Sequence, residues 1–130
     1  MKKDNKGFSL VELIIVIAIM AVLVGLLAPQ YLKYVENSKV STDISNAQEV
    51  ATAINVAFAD DNPSYKSGSP VTKLPDGKAL PTLKASGAAA GGMSVTIDDN
   101  GVKEIKNGTY ILWPDPKDST NGYYTKLHKK

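Results

Sequence analysis

The sequence predicts an α+β fold: a long N-terminal helix whose first half is transmembrane, with a three- or four-stranded antiparallel sheet packed on its second half. Three observations predict this fold. An apolar run extends from Phe8 to Ala28. Helical spacing of apolar residues follows from Tyr31 to Phe58, and alternation with a period of two begins at Met93. At 130 residues, the chain is long enough for one small domain and the helix that carries it.

The apolar run is long enough to cross a membrane. Its roughly 21 residues form about 30 Å of helix, which matches the hydrocarbon layer. A secretory signal has a shorter apolar region and a small-x-small cleavage site, whereas the only candidate here, Leu26-Leu27-Ala28, lacks the first small residue and precedes Pro29. The three lysines before the run, Lys2, Lys3 and Lys6, place the leader in the cytoplasm and the remaining chain outside.

Glu12 is the only ionisable residue in the apolar run. An unpaired acidic residue in a membrane span costs about 2.5 to 3.5 kcal/mol, so a plain uncleaved anchor does not explain it. One alternative is that Glu12 snorkels from the start of the helix, where the helix dipole favours a carboxylate. The other is that it has a charged partner.

The stretch Lys6-Gly7-Phe8-Ser9-Leu10-Val11-Glu12-Leu13 resembles the class III signal of type IV prepilins and related pseudopilins. The resemblance implies that a prepilin peptidase cleaves after Gly7 and methylates the new N-terminus at Phe8. It also implies that Glu12, then the fifth residue, pairs during assembly with the N-terminal ammonium of Phe8 in a neighbouring subunit.

Gly25 and Pro29 are expected to weaken one turn of the helix, because proline deletes a backbone hydrogen bond and clashes with the preceding turn. The simpler alternative is a boundary between two helices. The pilin resemblance favours a bend that unwinds in the filament.

The second half of the helix is predicted from an apolar stripe and a clear stop. The stripe consists of Tyr31, Val35, Val40, Ile44, Ala47, Ala51, Ile54 and Phe58, which predicts a face that packs on a sheet. Lys33, Glu36, Lys39, Asp43 and Glu49 are predicted to lie mostly away from it, with Lys39 and Asp43 as an i,i+4 pair. Asp60-Asp61-Asn62-Pro63 ends the helix.

The remaining chain is predicted to form a loop followed by an antiparallel β-meander. We predict a leader at 1–7, the helix at 8–59 with its assembly segment at 8–28, a loop at 60–92 that Tyr65, Val71, Leu74, Leu80 and Leu83 pin to the surface, and the sheet at 93–130. Strands are expected at 93–97, 102–106 and 109–113, with a turn at Asn107-Gly108. A fourth, edge strand is expected at Tyr123 to Leu127.

Composition excludes several classes of function. The chain has no cysteine, hence no disulfide and no thiolate metal site, a feature that looks more like pilins of Gram-positive bacteria. All 15 basic residues are lysine, and without arginine direct nucleic-acid recognition is not expected. Removal of the leader lowers the net charge from +2 to 0, which does not oppose dense self-association.

Other candidate sites have simpler explanations. Asp115, Asp118 and Asn121 could offer oxygen ligands to calcium, but their spacing does not match the EF-hand loop, and no metal or cofactor is predicted. Asn107-Gly108-Thr109 matches the N-glycosylation pattern, although the turn explains it. His128 has no catalytic partner in sequence, so no enzyme activity and no catalytic residue is predicted.

The resemblance to type IV prepilins therefore implies a structural subunit of a type IV pilus. Its expected partners are copies of itself in a helical filament, the membrane before assembly, the prepilin peptidase and the pilus assembly machinery. Its expected location is the membrane, as a single span with the C-terminus outside, and then the cell-surface pilus. A pseudopilin of type II secretion or DNA uptake, and a membrane-anchored binding protein that never polymerises, are the alternatives.

Overall fold

The computed structural model describes Gly7 and residues 9–128. In chain order, the elements are helix α1 (Leu10–Ala59), strands β1 (Ser94–Asp98), β2 (Gly101–Asn107) and β3 (Tyr110–Trp113), and the short helix α2 (Tyr123–Leu127). The chain divides between Tyr34 and Val35 into two compact units. The α+β class with a three-stranded antiparallel sheet confirms the predicted fold.

The first unit contributes the apolar part of α1. Every described side chain from Ser9 to Tyr34 is exposed. In the described part of the chain, α1 is the one helix that is long and apolar enough to cross a membrane. The helix continues without interruption through Pro29. Pro29 has no N–H and therefore cannot donate the helical hydrogen bond to the carbonyl of Gly25. The alternative of a boundary between two helices at this point is wrong, because α1 is continuous.

The second unit packs the remainder of α1 against the sheet. The strand order is β1-β2-β3, and both pairs are antiparallel. Val95 and Ile97 of β1 point into the core while Ser94 and Thr96 face solvent, so the predicted alternation is confirmed. The core residues of α1 are Val40, Ala47, Val50, Ala51, Ile54 and Ala57. The apolar stripe is thus confirmed over most of its length, with Val50 and Ala57 as additions.

The C-terminal end of α1 forms a Schellman motif. The N–H of Asn62 donates to the carbonyl of Ala57 and that of Asp61 to Phe58, both at 3.0 Å. Asp61 has a φ of +62°, a conformation that glycine adopts more easily. The helix therefore ends where Asp60 to Pro63 predicted.

The loop between α1 and β1 is held to the surface, as expected. Tyr65 is buried and donates a hydrogen bond from its hydroxyl to the carbonyl of Lys73 at 2.8 Å. Val71, Leu74, Leu80 and Leu83 are partly buried against the core. Apolar anchors spaced along a proline-rich segment thus fix it without regular secondary structure.

Two sequence predictions for this unit are wrong. Tyr123 to Leu127 forms α2 and not a fourth strand, because Tyr123, Tyr124 and Leu127 face the core with helical spacing while Thr125 and Lys126 are exposed. Only a single bridge, between Gly122 and Ile111, joins this region to the edge of β3.

The second wrong prediction is Asp43, which was placed on the solvent face with Lys39. Asp43 is fully buried. It lies between Val40 and Ala47 in the helical repeat, on the face that packs on the sheet, and its carboxylate bonds to groups distant in sequence. Tyr31, assigned to the same stripe, is 65% exposed and does not belong to the core.

Candidate assembly segment and the contacts that hold the folded unit

The first turn of α1 presents Glu12 at a capped helix end. Ser9 is the N-cap, since its Oγ accepts a hydrogen bond from the N–H of Glu12 at 3.2 Å and its carbonyl accepts one from Leu13 at 3.1 Å. The spacing Ser9 to Glu12 is that of a capping box. Within the described residues, the Glu12 carboxylate has no ion-pair partner. A carboxylate in this position is favoured by the helix dipole and remains free to meet a cation.

The residues around the predicted cleavage site are only partly described. Gly7 is described and exposed. Phe8 and the remaining leader, including Lys6, lie outside the described residues, so cleavage after Gly7 and methylation of Phe8 stay predictions. Gly25 and Pro29 lie within α1, and unwinding at these residues also stays a prediction.

Asp43 joins three separate parts of the second unit. Its Oδ1 accepts a hydrogen bond from the N–H of Lys84 at 2.8 Å, and its Oδ2 accepts from the N–H of Ala85 at 2.9 Å. Oδ2 also accepts from the Tyr123 hydroxyl at 2.5 Å. One buried carboxylate on α1 thus holds both the helix-to-sheet loop and α2. Burial, followed by the hydrogen bond to Asp43, raises the pKa of Tyr123 well above its usual value.

Glu36 extends the same arrangement by two turns of α1. Its Oε1 accepts hydrogen bonds from both the N–H of Ser86, at 2.6 Å, and the Ser86 hydroxyl, at 2.8 Å. Three consecutive loop N–H groups, those of residues 84–86, therefore donate to carboxylates of α1. Charged residues assigned to the solvent face from their polarity are instead what attaches the loop.

Asn107 and Asn55 make two further contacts that the sequence did not reveal. Asn107 is fully buried; its Oδ1 accepts from the N–H of Ala89 at 2.6 Å, and its Nδ2 donates to the carbonyls of Ala89 and Gly92. This burial leaves no access for a glycan. Asn55 of α1 accepts from the N–H of Val102 at 2.8 Å and so attaches the start of β2.

Glycine is required at position 101 for two reasons. Its φ is +116°, and a Cβ atom there would lie 2.5 Å from Oδ1 of Asn55. The contact of Asn55 could have been predicted only by considering two features together. These are the glycine of the turn and the side of α1 on which Asn55 lies.

The loop after β3 uses its oxygen atoms internally. Oδ1 of Asp118 accepts from the N–H groups of Thr120 and Asn121, and these bonds lower the pKa of Asp118. Oδ1 of Asp115 accepts from Lys117. In the described part of the chain, no group of three or more acidic, cysteine or histidine residues is arranged to hold a metal ion. These hydrogen bonds account for the conformation of the loop.

His128 lies at the end of α2 and packs on Tyr124, with ring centroids 4.4 Å apart. The Nζ of Lys117 lies 4.9 Å from the centroid of the Tyr124 ring. His128 therefore takes part in an aromatic stack beside a lysine ammonium.

Comparison with known proteins places these features in a family. The model of the prokaryotic N-terminal methylation motif matches residues 2–28. The chain is 34% identical to the type IV major fimbrial protein FimA of Dichelobacter nodosus over 75% of this chain and 64% of the relative. It is 30% identical to the fimbrial protein EcpC of Eikenella corrodens over 86% of this chain and 76% of that protein.

A third relative is the type IV major pilin protein PilE1 of Neisseria gonorrhoeae, 31% identical over 84% of this chain and 62% of the relative. No solved structure matches the chain. An exposed apolar helix continues into a small α+β unit, and the methylation motif covers the start of that helix. The chain belongs to the type IV pilin family.

The chain spans only part of the length of several relatives, which limits the properties that can be assigned to it by comparison. The chain spans 64% of the length of the Dichelobacter nodosus protein above and 38% of two further fimbrial proteins with the same name. The expected likeness to pilins of Gram-positive bacteria stays a prediction, because similarity to these relatives does not fix the source of the chain.

Proposed function

We propose that this chain is a structural subunit of a type IV pilus that polymerises through its N-terminal helix. The observation that carries the proposal is the uncovered apolar segment of α1. From Leu10 to Leu27, its large apolar side chains are about half exposed or more, and they lie within the segment that matches the methylation motif. Such a surface requires an apolar environment.

The membrane and then the filament can provide this apolar environment, one before assembly and the other after it. Before assembly the segment lies in the membrane, as a single span with the C-terminus outside, since its length suits the hydrocarbon layer. In the filament, the same segments of neighbouring subunits replace the lipid. A subunit that repeats one heterologous contact without closing a ring generates a helical polymer, and the predicted neutral charge of the mature chain does not oppose it.

Removal of the leader allows the apolar segment to move from the membrane into the filament. A prepilin peptidase removes residues 1–7 and methylates Phe8, which creates an ammonium at the start of the helix. Glu12 then pairs with the ammonium of a neighbouring subunit during assembly. In a water-excluded filament core, this pair is weakly screened, so it selects the correct register of the incoming subunit.

The alternatives explain fewer of these features. The names of the related proteins are those of fimbrial and pilin proteins, which favours a pilin over a pseudopilin and a structural over an enzymatic role. A membrane-anchored binding protein that never polymerises has no use for an acidic residue in its anchor.

Electron microscopy of the cell surface tests the proposal, with and without the gene. We expect thin surface filaments that contain this chain and are restored when the gene is supplied again. Filaments that are equally abundant without the gene, or filaments that lack the chain, would contradict a role as principal subunit.

Substitution of Glu12 tests the mechanism. Glu12→Ala is expected to leave membrane insertion intact, because a charge has been removed from lipid, while sheared filament is lost. Ser9→Ala is the matched control, since it removes the cap of the same turn, at about 1 kcal/mol, and keeps the carboxylate. If Ser9→Ala abolishes filaments as completely as Glu12→Ala, the defect lies in the helix end and not in the charge pair.

A further inference from the structure

Two tyrosines of the first unit are largely exposed in the part of the chain that the structure describes. Tyr31 is 65% exposed and Tyr34 is 71% exposed. They are three residues apart in α1 and thus lie on one side of the helix. Lys33, between them in sequence, is exposed as well. The helical repeat had placed Tyr31 in the core, so its exposure calls for another partner.

The position of these residues along α1 indicates what that partner is. At 1.5 Å per residue, about 28 Å of helix separates Glu12 from Tyr31, close to the roughly 30 Å of a hydrocarbon layer. Residues 13–28 between them carry no charged or hydrogen-bonding side chain. The apolar segment therefore has a carboxylate at one boundary and a Tyr-x-Lys-Tyr cluster at the other.

The chemistry of the cluster suits the boundary between lipid and water. A tyrosine ring is apolar while its hydroxyl forms hydrogen bonds, and tyrosine is enriched at membrane interfaces for this reason. A lysine at a span end extends its ammonium toward the headgroups and their phosphates. We propose that Tyr31, Lys33 and Tyr34 form an interfacial anchor that binds the outer headgroup layer of the membrane and fixes the depth of the subunit before assembly. This inference depends on one part of the proposed function, namely that the apolar segment lies in the membrane before assembly.

The lack of cysteine in the chain allows a direct test with single-cysteine reporters. The full-length protein is inserted into vesicles of phosphatidylethanolamine and phosphatidylglycerol, and a membrane-impermeant maleimide is added from outside. Reporters are Ile19→Cys in mid-span, Leu26→Cys, Gln30→Cys at the anchor and Ser38→Cys beyond it. We expect fast labelling at position 38, slow labelling at position 30 and none at positions 26 and 19.

Removal of the anchor should move this boundary. With Tyr31→Ala and Tyr34→Ala together, we expect labelling of Gln30→Cys to increase severalfold and to extend to Leu26→Cys, one turn deeper. Tyr31→Trp with Tyr34→Trp keeps amphipathic rings and should keep the boundary. Leu32→Ala, at an equally exposed position (67%), should also leave it unchanged.

The outcomes separate the anchor from the membrane stage itself. A boundary that does not move in the double alanine variant, or Gln30→Cys labelled as fast as Ser38→Cys in the parent, overturns the anchor while Ile19→Cys stays protected. In that case the tyrosines are covered only by a second copy in the filament. Free labelling of Ile19→Cys means that the segment does not insert, and then the membrane stage of the proposed function fails too.

Discussion

The buried carboxylate of Asp43 allows a quantitative prediction for Asp43→Asn. The amide can place only one oxygen, so either orientation turns its NH₂ group toward a backbone N–H, that of Lys84 or of Ala85. A buried donor without an acceptor costs about 1 to 3 kcal/mol, and a bond to a charged group contributes about 1.5 to 3 kcal/mol. We therefore expect the free energy of unfolding to fall by about 2 to 4 kcal/mol.

The assay is urea denaturation of the full chain in detergent micelles. Trp113 is the single tryptophan and packs against the core, so its fluorescence reports unfolding of the second unit. Glu49→Gln is the matched control, because it makes the same change of charge at an exposed position of the same helix, and it should change stability by less than about 0.5 kcal/mol. An Asp43→Asn protein as stable as the Glu49→Gln control would refute the reasoning.

Further predictions concern Tyr123, Asp61, Asn107 and the weak turn of α1. The pKa of Tyr123 is raised in the folded state, so the stability it contributes is present below pH about 10 and is lost as pH rises further; alkaline titration of stability should be shallower in Tyr123→Phe, and equal slopes would contradict the shift. Asp61→Gly relieves a left-handed residue and should stabilise by about 0.5 to 1 kcal/mol in the same urea assay, despite the loss of its exposed pair with Lys66; a loss of stability would contradict this account. Asn107→Ala removes three hydrogen bonds and should cost about 2 to 4 kcal/mol; hydrogen exchange should then be faster at Ala89, and unchanged exchange would argue against the contact. Gly25→Ala with Pro29→Ala should stiffen α1 and give filaments that are sparser or of altered helical rise by electron microscopy, and unchanged filaments would show that no unwinding is needed.

The parts of the fold that the sequence predicted depend on local patterns. The apolar first part of α1, the end of α1 at Ala59 and the alternation in β1 each follow from residues close together in the chain, through hydrophobicity, turn chemistry or a period of two. Glu12 was likewise singled out from its local surroundings, as the one ionisable residue of the apolar run. For these features, the competing interpretations differed in the length of an apolar segment or in the spacing of its residues. Both can be determined directly from a sequence.

The features that were missed depend on partners distant in sequence. Asp43 is buried because donors at residues 84, 85 and 123 converge on it, and polarity alone assigns an aspartate to the surface. Its position between Val40 and Ala47 in the helical repeat was the one available signal. Tyr123 to Leu127 has the composition of a strand, but tertiary packing overrides that preference. Tyr31 fits the core repeat in spacing, yet it lies in the other unit.

The central claim is that this chain is processed and then assembled into a filament. Mass spectrometry of the N-terminal peptide, recovered from sheared surface filaments, tests it most directly. We predict a chain that begins at Phe8 and carries one methyl group. A peptide that retains the leader from Met1, or one that begins near Pro29, would contradict the account.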